Sequence, residues 1–292
     1  MSAVERTGKP VVTEDPDRIE DLGWTFAEIW RRVSPFLVTV VNITCFFIIW
    51  QLFADSGAIS PLFFPTATAM FKELWHGLTT TAPPGAVISG SIRDHLFYSL
   101  SNLGLGLVIA CIIGIPAGLL MGGNRIVEKI LSPYVWALAS VPRIALVPLF
   151  ILFLGFSVKM QVTIITLSAV FPIIINSWAG VKTTDKSLLA AAKVFGANRV
   201  QLYVKVVLPY TLPFIISGIQ QGIGRGLVAV IIAEIFGGSR GLGYLVNRSA
   251  DTFNSALMYA VLLLLVVVSL TLVQLTRWLE AYVAPWRRLE GL

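Results

Sequence analysis

The chain alternates between long apolar runs and short polar connections, and the length of the runs decides the fold class. Windows of about 20 residues nearly free of charge, long enough to cross hydrocarbon as an α-helix, recur six times. They predict spans over 36–54, 96–121, 131–154, 162–181, 209–236 and 257–281. The runs are continuous rather than alternating, which argues against a transmembrane barrel. Ahead of the first run, Ile19, Leu22, Phe26, Ile29, Trp30 and Val33 recur at helical spacing, with Glu20, Asp21, Glu28, Arg31 and Arg32 on other faces. This pattern fits a helix on the membrane surface or the first turns of the following span. The expected organisation is a tail with an amphipathic surface helix over 1–34 and a transmembrane domain over 35–292. The polar start lacks a cleavable signal pattern and is expected to remain. Between the first two spans, residues 55–94 carry Pro61, Pro65, Pro83 and Pro84 around a helical TATAMFKELWHGL, expected to cap the outer surface. Gly114, Gly118 and Gly122 in one span, and Gly218, Gly222 and Gly226 in another, form small-residue stripes that let helix backbones approach closely.

Composition agrees with this pattern: 56% of the 292 residues are apolar, 13% are charged, and mean hydropathy is +0.80. The formal charge of +6 does not point to nucleic acid, because the basic residues sort by side of the membrane. With the N-terminus inside, the tail, Arg125, Lys129, Lys182, Lys186, Lys193, Arg199, Lys205, Arg277, Arg287 and Arg288 lie inside, against Lys72, Arg93, Lys159, Arg240 and Arg248 outside. The positive-inside rule then places both termini in the cytoplasm. Cys45 and Cys111 fall in apolar segments and read as packing residues, while His76 and His95 lack a ligand pattern around them, so no metal site is expected.

One connection differs from the others. LLAAAKVFGANRVQLYVKVVLPYTLPF, from Leu188 to Phe214, mixes helical patterning with repeated Lys and Arg. Thr184 or Asp185 can cap a short helix over 187–195 that Gly196 ends, and Asn198 can cap a second that runs to Leu208, with Pro209 as a boundary. Leu188, Leu189, Ala192 and Phe195 give the first helix an apolar side, and Ala190 and Ala191 thin it to nearly bare backbone. A slim helix with a Phe knob suits a groove on another protein.

Here the sequence resembles the permeases of bacterial ABC importers. Their cytoplasmic signature reads E-A-A, three residues, G, nine residues, I-x-L-P, and this chain has Ala190-Ala191-Ala192, Gly196 and Val206-Val207-Leu208-Pro209 at matching spacing. Ala190 stands in place of the signature Glu. WQLFADSGAISPLFFP, VPRIALVPLFILFLGFS, FPIIINSW and AEIFGGSRGLGYLV extend the resemblance to the nitrate, sulfonate, taurine and thiamine-pyrimidine group. The resemblance implies an all-α type I importer permease with six transmembrane helices, in the bacterial cytoplasmic membrane. It further implies a second permease copy, an extracytoplasmic solute-binding protein and separate ATPase subunits that use ATP and Mg2+, with no cofactor held by this chain. A coupling helix would dock on the ATPase through Leu189, Ala190, Ala191, Ala192, Lys193, Phe195, Gly196 and Ala197, within a loop over 182–208.

Arg143, Arg225 and Glu234 lie in or at the edges of spans, where a central charge costs about 2.5 to 3.5 kcal/mol, so each needs a partner or water. Arg225 and Glu234 are about 13 Å apart along one helix on nearly opposite faces, which makes direct pairing unfavourable. Each meets a carbonyl, water or another span, or lines the solute path; Arg143, beside a helix break at Pro142, is the candidate for attracting an anion. Asn176, Trp136 and Trp178 are further pathway candidates, against a packing role for the tryptophans. GGSRGLG, Gly237 to Gly243, lacks the order of a phosphate-binding loop and reads as an outer turn or gate. An intramembrane enzyme would need an acid, base or nucleophile set, and none is present. The rival reading in another class is an ATP-independent secondary transporter or channel, opposed by the absence of an obvious repeat between the halves.

Overall fold

The computed structural model describes residues 26–80 and 91–283, and every regular element among them is helical. The chain divides into a unit up to Phe53 and a unit from Ala54 onward. The first contributes α1, Phe26–Asp55, whose apolar part Leu37–Asp55 is long enough to span. From Phe26 the amphipathic stretch is continuous with this helix, as the second of the two readings expects; residues 19–25 lie outside the described residues.

The second unit holds α2 (Ala67–Thr79), α3 (Ile92–Gly123), α4 (Arg125–Ser140), a 3-10 turn (Arg143–Leu146), α5 (Val147–Leu154) and α6 (Val158–Lys182). It continues through α7 (Lys186–Val194), α8 (Arg199–Leu202), a π turn (Tyr203–Val207), α9 (Leu208–Gly237), α10 (Leu242–Asp251) and α11 (Ser255–Val283). Its centre is α6, buried between α3 and α9. Lipid offers no hydrophobic drive for this association, so it depends on close backbone approach at small residues. A Cβ added to Gly106 would lie 2.5 Å from Ile165, one on Gly114 2.9 Å from Ile173, and one on Gly118 2.5 Å from the Ile174 carbonyl. On the α9 side, Gly218 meets Ile173 and Asn176, and Gly222 meets Ala169. Both predicted stripes are thus intramolecular seams. Side-chain bonds hold the register: Asn102 Nδ2 donates to Gln161 Oε1 (2.7 Å) and Thr166 Oγ1 to the Gly106 carbonyl (3.2 Å).

These contacts advance together along α3 and α6, so the two helices run parallel, whereas α9 runs antiparallel to α6. A parallel pair requires the intervening chain to return to the opposite side. The run over 131–154, expected as a single span, is instead two helices bent by 85° at the Val141-Pro142 break. It still counts as one crossing: Glu128 near its start pairs with Lys182 at the end of α6 (2.8 Å), and Ile151 near its finish lies beside Gly237 at the end of α9. Among the described residues the candidate spans therefore number six when the bent pair counts as one.

At the end of the unit where α3 starts, α2 caps the bundle, with Leu74 and Leu78 packing on a buried cluster that includes Ile92, Leu242 and Val261. The ends of α3, α6 and α11, and the whole of α7 and α8, lie at the other end. Pro209 does not form the expected boundary, because α8, the π turn and α9 make one continuous helix over Arg199–Gly237. A proline ring clashes with the carbonyl four residues before it. The π turn shifts that contact by bonding the Leu208 N–H to the Tyr203 carbonyl instead.

Gly118→Val should lower the melting temperature and folded yield of the detergent-purified protein, costing about 1–3 kcal/mol or more because a backbone carbonyl blocks the new side chain. Gly104→Val, with open space at the same helix, should leave both near the parent. Equal behaviour of the two variants would refute the seam.

Candidate functional site

Two features of the second unit carry chemistry: a cationic cavity in the middle of the bundle and the polar loop at one end. The cavity, about 280 Å³, is walled by Ile144, Val147, Ile164, Val228 and Ile232 and lined by Arg143, Arg225 and Ser168, with no carboxylate among the described residues of the lining. The Val141-Pro142 break places Arg143 there. Its Nη2 donates to the Ala139 carbonyl (2.7 Å), its guanidinium lies 5.6 Å from the Phe171 ring centroid, and its buried Nε has no partner among the described residues. Arg225 enters from mid-α9 on an exposed face, flanked by Gly224 and Val228. An exposed cation at that depth requires water, an anion or another protein surface. Of the sequence candidates, the structure brings Arg143 and Arg225 together in one cavity.

Asn176 lies two turns along α6 from Ser168. It donates to the Pro172 carbonyl (2.8 Å) and accepts from Gln221 Nε2 (3.4 Å), one turn before Arg225. A polar track thus runs from the cavity toward the end of the bundle that carries α7. Gln221, Ser168 and Phe171 were missed by sequence reasoning, although Gln221 obeys the same rule that flagged Arg225: a polar group in mid-span. Trp136 and Trp178 pack on each other with ring centroids 6.2 Å apart, and the buried Trp178 Nε1 has no partner among the described residues.

Glu234 sits elsewhere. It is fully buried and lines no part of the cavity. Ser99 Oγ donates to its carboxylate (2.7 and 3.0 Å), and the Gly243 N–H donates to Oε2 (2.8 Å). The Leu242 N–H donates to Ser99 Oγ (2.8 Å), and the Gly241 N–H to His95 Nδ1 (2.9 Å). Three successive amides opening α10 are therefore satisfied by side chains of α3 and α9, in place of a local cap. Gly241 has φ +111°, and a Cβ there would lie 2.1 Å from the Glu234 carboxyl carbon. GGSRGLG is a turn pinned from below. His95 and Ser99, one helical turn apart in an apolar run, were the overlooked signal.

At the opposite end, Asp185 caps α7 by accepting from the Ser187 N–H (2.8 Å), a bond that holds its carboxyl below the usual range. This cap is complete above the ordinary carboxylate range and is lost as pH falls through the lowered value. Thr184, the alternative cap, is buried and bonds the Gly180 carbonyl. Gly196 ends the helix at φ +76°, and Asn198 with Gln201 forms a capping box for α8. The expected single apolar side divides in two. Leu189, Ala192 and Ala197 are half-buried, whereas Leu188, Ala190, Ala191 and Lys193 are exposed, and Phe195 is 90% exposed.

Residues 114–289 match the family described as binding-protein-dependent transport system inner membrane components. A Bacillus subtilis (strain 168) protein named for aliphatic sulfonates transport, the permease SsuC, is 31% identical over 82% of this chain and 83% of its own length. The taurine transport system permease protein TauC of Escherichia coli (strain K12) is 28% identical over 88% of this chain and 92% of its own. The formylaminopyrimidine transport permease protein ThiX of Halalkalibacterium halodurans is 29% identical over 66% and 78%. Among solved structures, a chain of the inward-facing MetNI methionine ABC transporter superposes with a TM-score of 0.58 at 19% identity, covering 66% of this chain and 96% of that one, which shows a shared fold.

Glu234→Gln should destabilise the protein by about 2–3 kcal/mol, since it replaces one accepting oxygen with an NH2 donor facing other donors. Gly241→Ala should be at least as damaging, through strain and overlap. Thermal unfolding of the purified chain measures both, and unchanged midpoints would refute the pinned turn.

Proposed function

The chain belongs to the family of binding-protein-dependent transport system inner membrane components, as a multi-pass permease subunit of an ABC importer, and we propose that it passes a small anion, paired with a second copy and driven by separate ATPase subunits docked on α7. The observation that carries the anion is the cavity with two guanidiniums and no carboxylate. A sulfonate or nitrate brings the charge that an apolar cavity with two cations requires. Taurine and aliphatic sulfonates, for which relatives are named, have this chemistry; the formylaminopyrimidine of a third relative does not.

The second copy answers the exposure of Arg225. A permease pair would enclose this face around a shared path, with the Asn176 and Gln221 track leading toward the cytoplasm. Orientation follows from charge. Arg125, Lys129, Lys182, Lys186, Lys193, Arg199, Lys205 and Arg277 lie toward the α7 end, against Lys72, Arg93, Lys159, Arg240 and Arg248 at the other, so the α7 end faces the cytoplasm. The pinned turn and α2 then face outward, where a solute-binding protein docks.

In this arrangement ATP and Mg2+ act on the ATPase subunits. This chain's part is mechanical: Phe195 and the alanines of α7 seat in the ATPase, and closure of the ATPase pair biases the permease between outward and inward states. Gly196 permits the turn that sends the chain back into the membrane.

Two experiments test this. Gly196→Val places a β-branched residue at φ +76° and should abolish stoichiometric recovery of an ATPase with the tagged chain while leaving membrane insertion near normal; full recovery would contradict the docking role. Arg143→Gln in the reconstituted transporter should cut ATP-dependent uptake of its anion, sought among taurine, an alkanesulfonate and nitrate, by about tenfold. Unchanged uptake, or uptake of a neutral pyrimidine alone, would contradict the anion reading.

A further inference from the structure

The start of the helix that leaves the coupling loop meets the end of α3 at Tyr203. Tyr203 opens the π turn, its hydroxyl donates to the Leu119 carbonyl (2.9 Å), and its ring edge lies 3.2 Å from where a Cβ on Gly123 would be. The π turn makes this contact. One extra residue in the winding rotates the preceding helix by about 100° relative to an unbroken α-helix, and this brings residue 203 round to α3. Gly123, last in α3, is small enough to admit the ring.

The part of α3 that Tyr203 touches lies beyond a proline. Pro116 leaves one backbone bond of the helix unmade two turns before its end. Beyond it Gly118 and Gly122 pack on Ser177 and Val181 of α6, whereas Gly123 faces the Tyr203 ring. A cleft of about 450 Å³ runs beside it, lined by Pro116, Leu119, Leu120, Gly123, Asn124 and Tyr203, which leaves room for movement. Beyond Asn124 the chain turns directly into α4, which leads to the break carrying Arg143.

We propose that Tyr203 is a positioning residue that gives the coupling loop a second output. Displacement of α7 passes through the Gly196 turn to the continuous helix that starts at Arg199 and so to α9, and it reaches α3 through the hydroxyl bond and the ring seated on Gly123. The end of α3 then moves with the loop and carries the start of α4, so the two helices leading to Arg225 and Arg143 shift together. This inference rests on the docking of an ATPase on α7.

The test is hydrogen exchange of the whole transporter, purified with its ATPase subunits, compared without nucleotide and trapped with ATP and vanadate. In the parent, peptides over 186–207 and over 116–124 should change protection together. Tyr203→Phe removes only the hydroxyl; it should keep the loop response, the complex stoichiometry and the melting temperature, while the α3 response falls about fivefold, the population ratio that loss of one hydrogen bond allows. Gly123→Ala, which crowds the ring but spares the hydroxyl, should reduce the same response. An α3 response absent from the parent, or undiminished in both variants, overturns the inference while the coupling reading stands. Loss of assembly or of melting temperature in Tyr203→Phe overturns it in favour of a structural role. No response of 186–207 in the parent would defeat the coupling reading itself.

Discussion

The close approach of α3, α6 and α9 at glycines is the constraint on which everything else depends. In hydrocarbon, burying apolar side chains against one another brings no hydrophobic gain, so a bundle persists only where backbones pack tightly or polar groups bond across helices. Gly106, Gly114 and Gly118 seat α3 against α6, and Gly218 and Gly222 seat α9 on its other flank. This sandwich makes α3 and α6 parallel. That in turn forces the return crossing to lie between them in sequence, and the break in that crossing delivers Arg143 to the cavity.

The polar groups are arranged around this rigid centre at two levels of freedom. At one end, Glu234, Ser99 and His95 bond three consecutive amides of α10, and a fully buried carboxylate with several donors favours one arrangement over others. At the other end, α7 is held by its own caps, with Phe195 standing out of the fold. The two ends of the unit thus differ: the turn before α10 is tied to α3 and α9 by buried bonds, whereas α7 is held by local caps.

Much of the fold was legible because spans announce themselves by length and charge, and because caps and stops follow local chemistry. Asp185, Gly196 and Asn198 act as their residue types dictate. What escaped was set by distant contacts. Pro209 reads locally as a boundary, and only the π turn upstream lets the helix pass it. Glu234 reads as a pathway charge because its partners lie on another helix and on a turn beyond its own. Arg143 and Arg225 were each visible, but nothing in the spacing between residues 143 and 225 could say that they share a cavity.

The most direct measurement is site-specific photocrosslinking from position 195 in native membranes, with a photoreactive phenylalanine analogue replacing Phe195 and the product identified by mass spectrometry. A crosslink to an ATPase subunit carrying its own nucleotide-binding motifs is expected, strengthened when ATP and vanadate trap the complex. Crosslinks confined to lipid, or to a second copy of this chain, would contradict it.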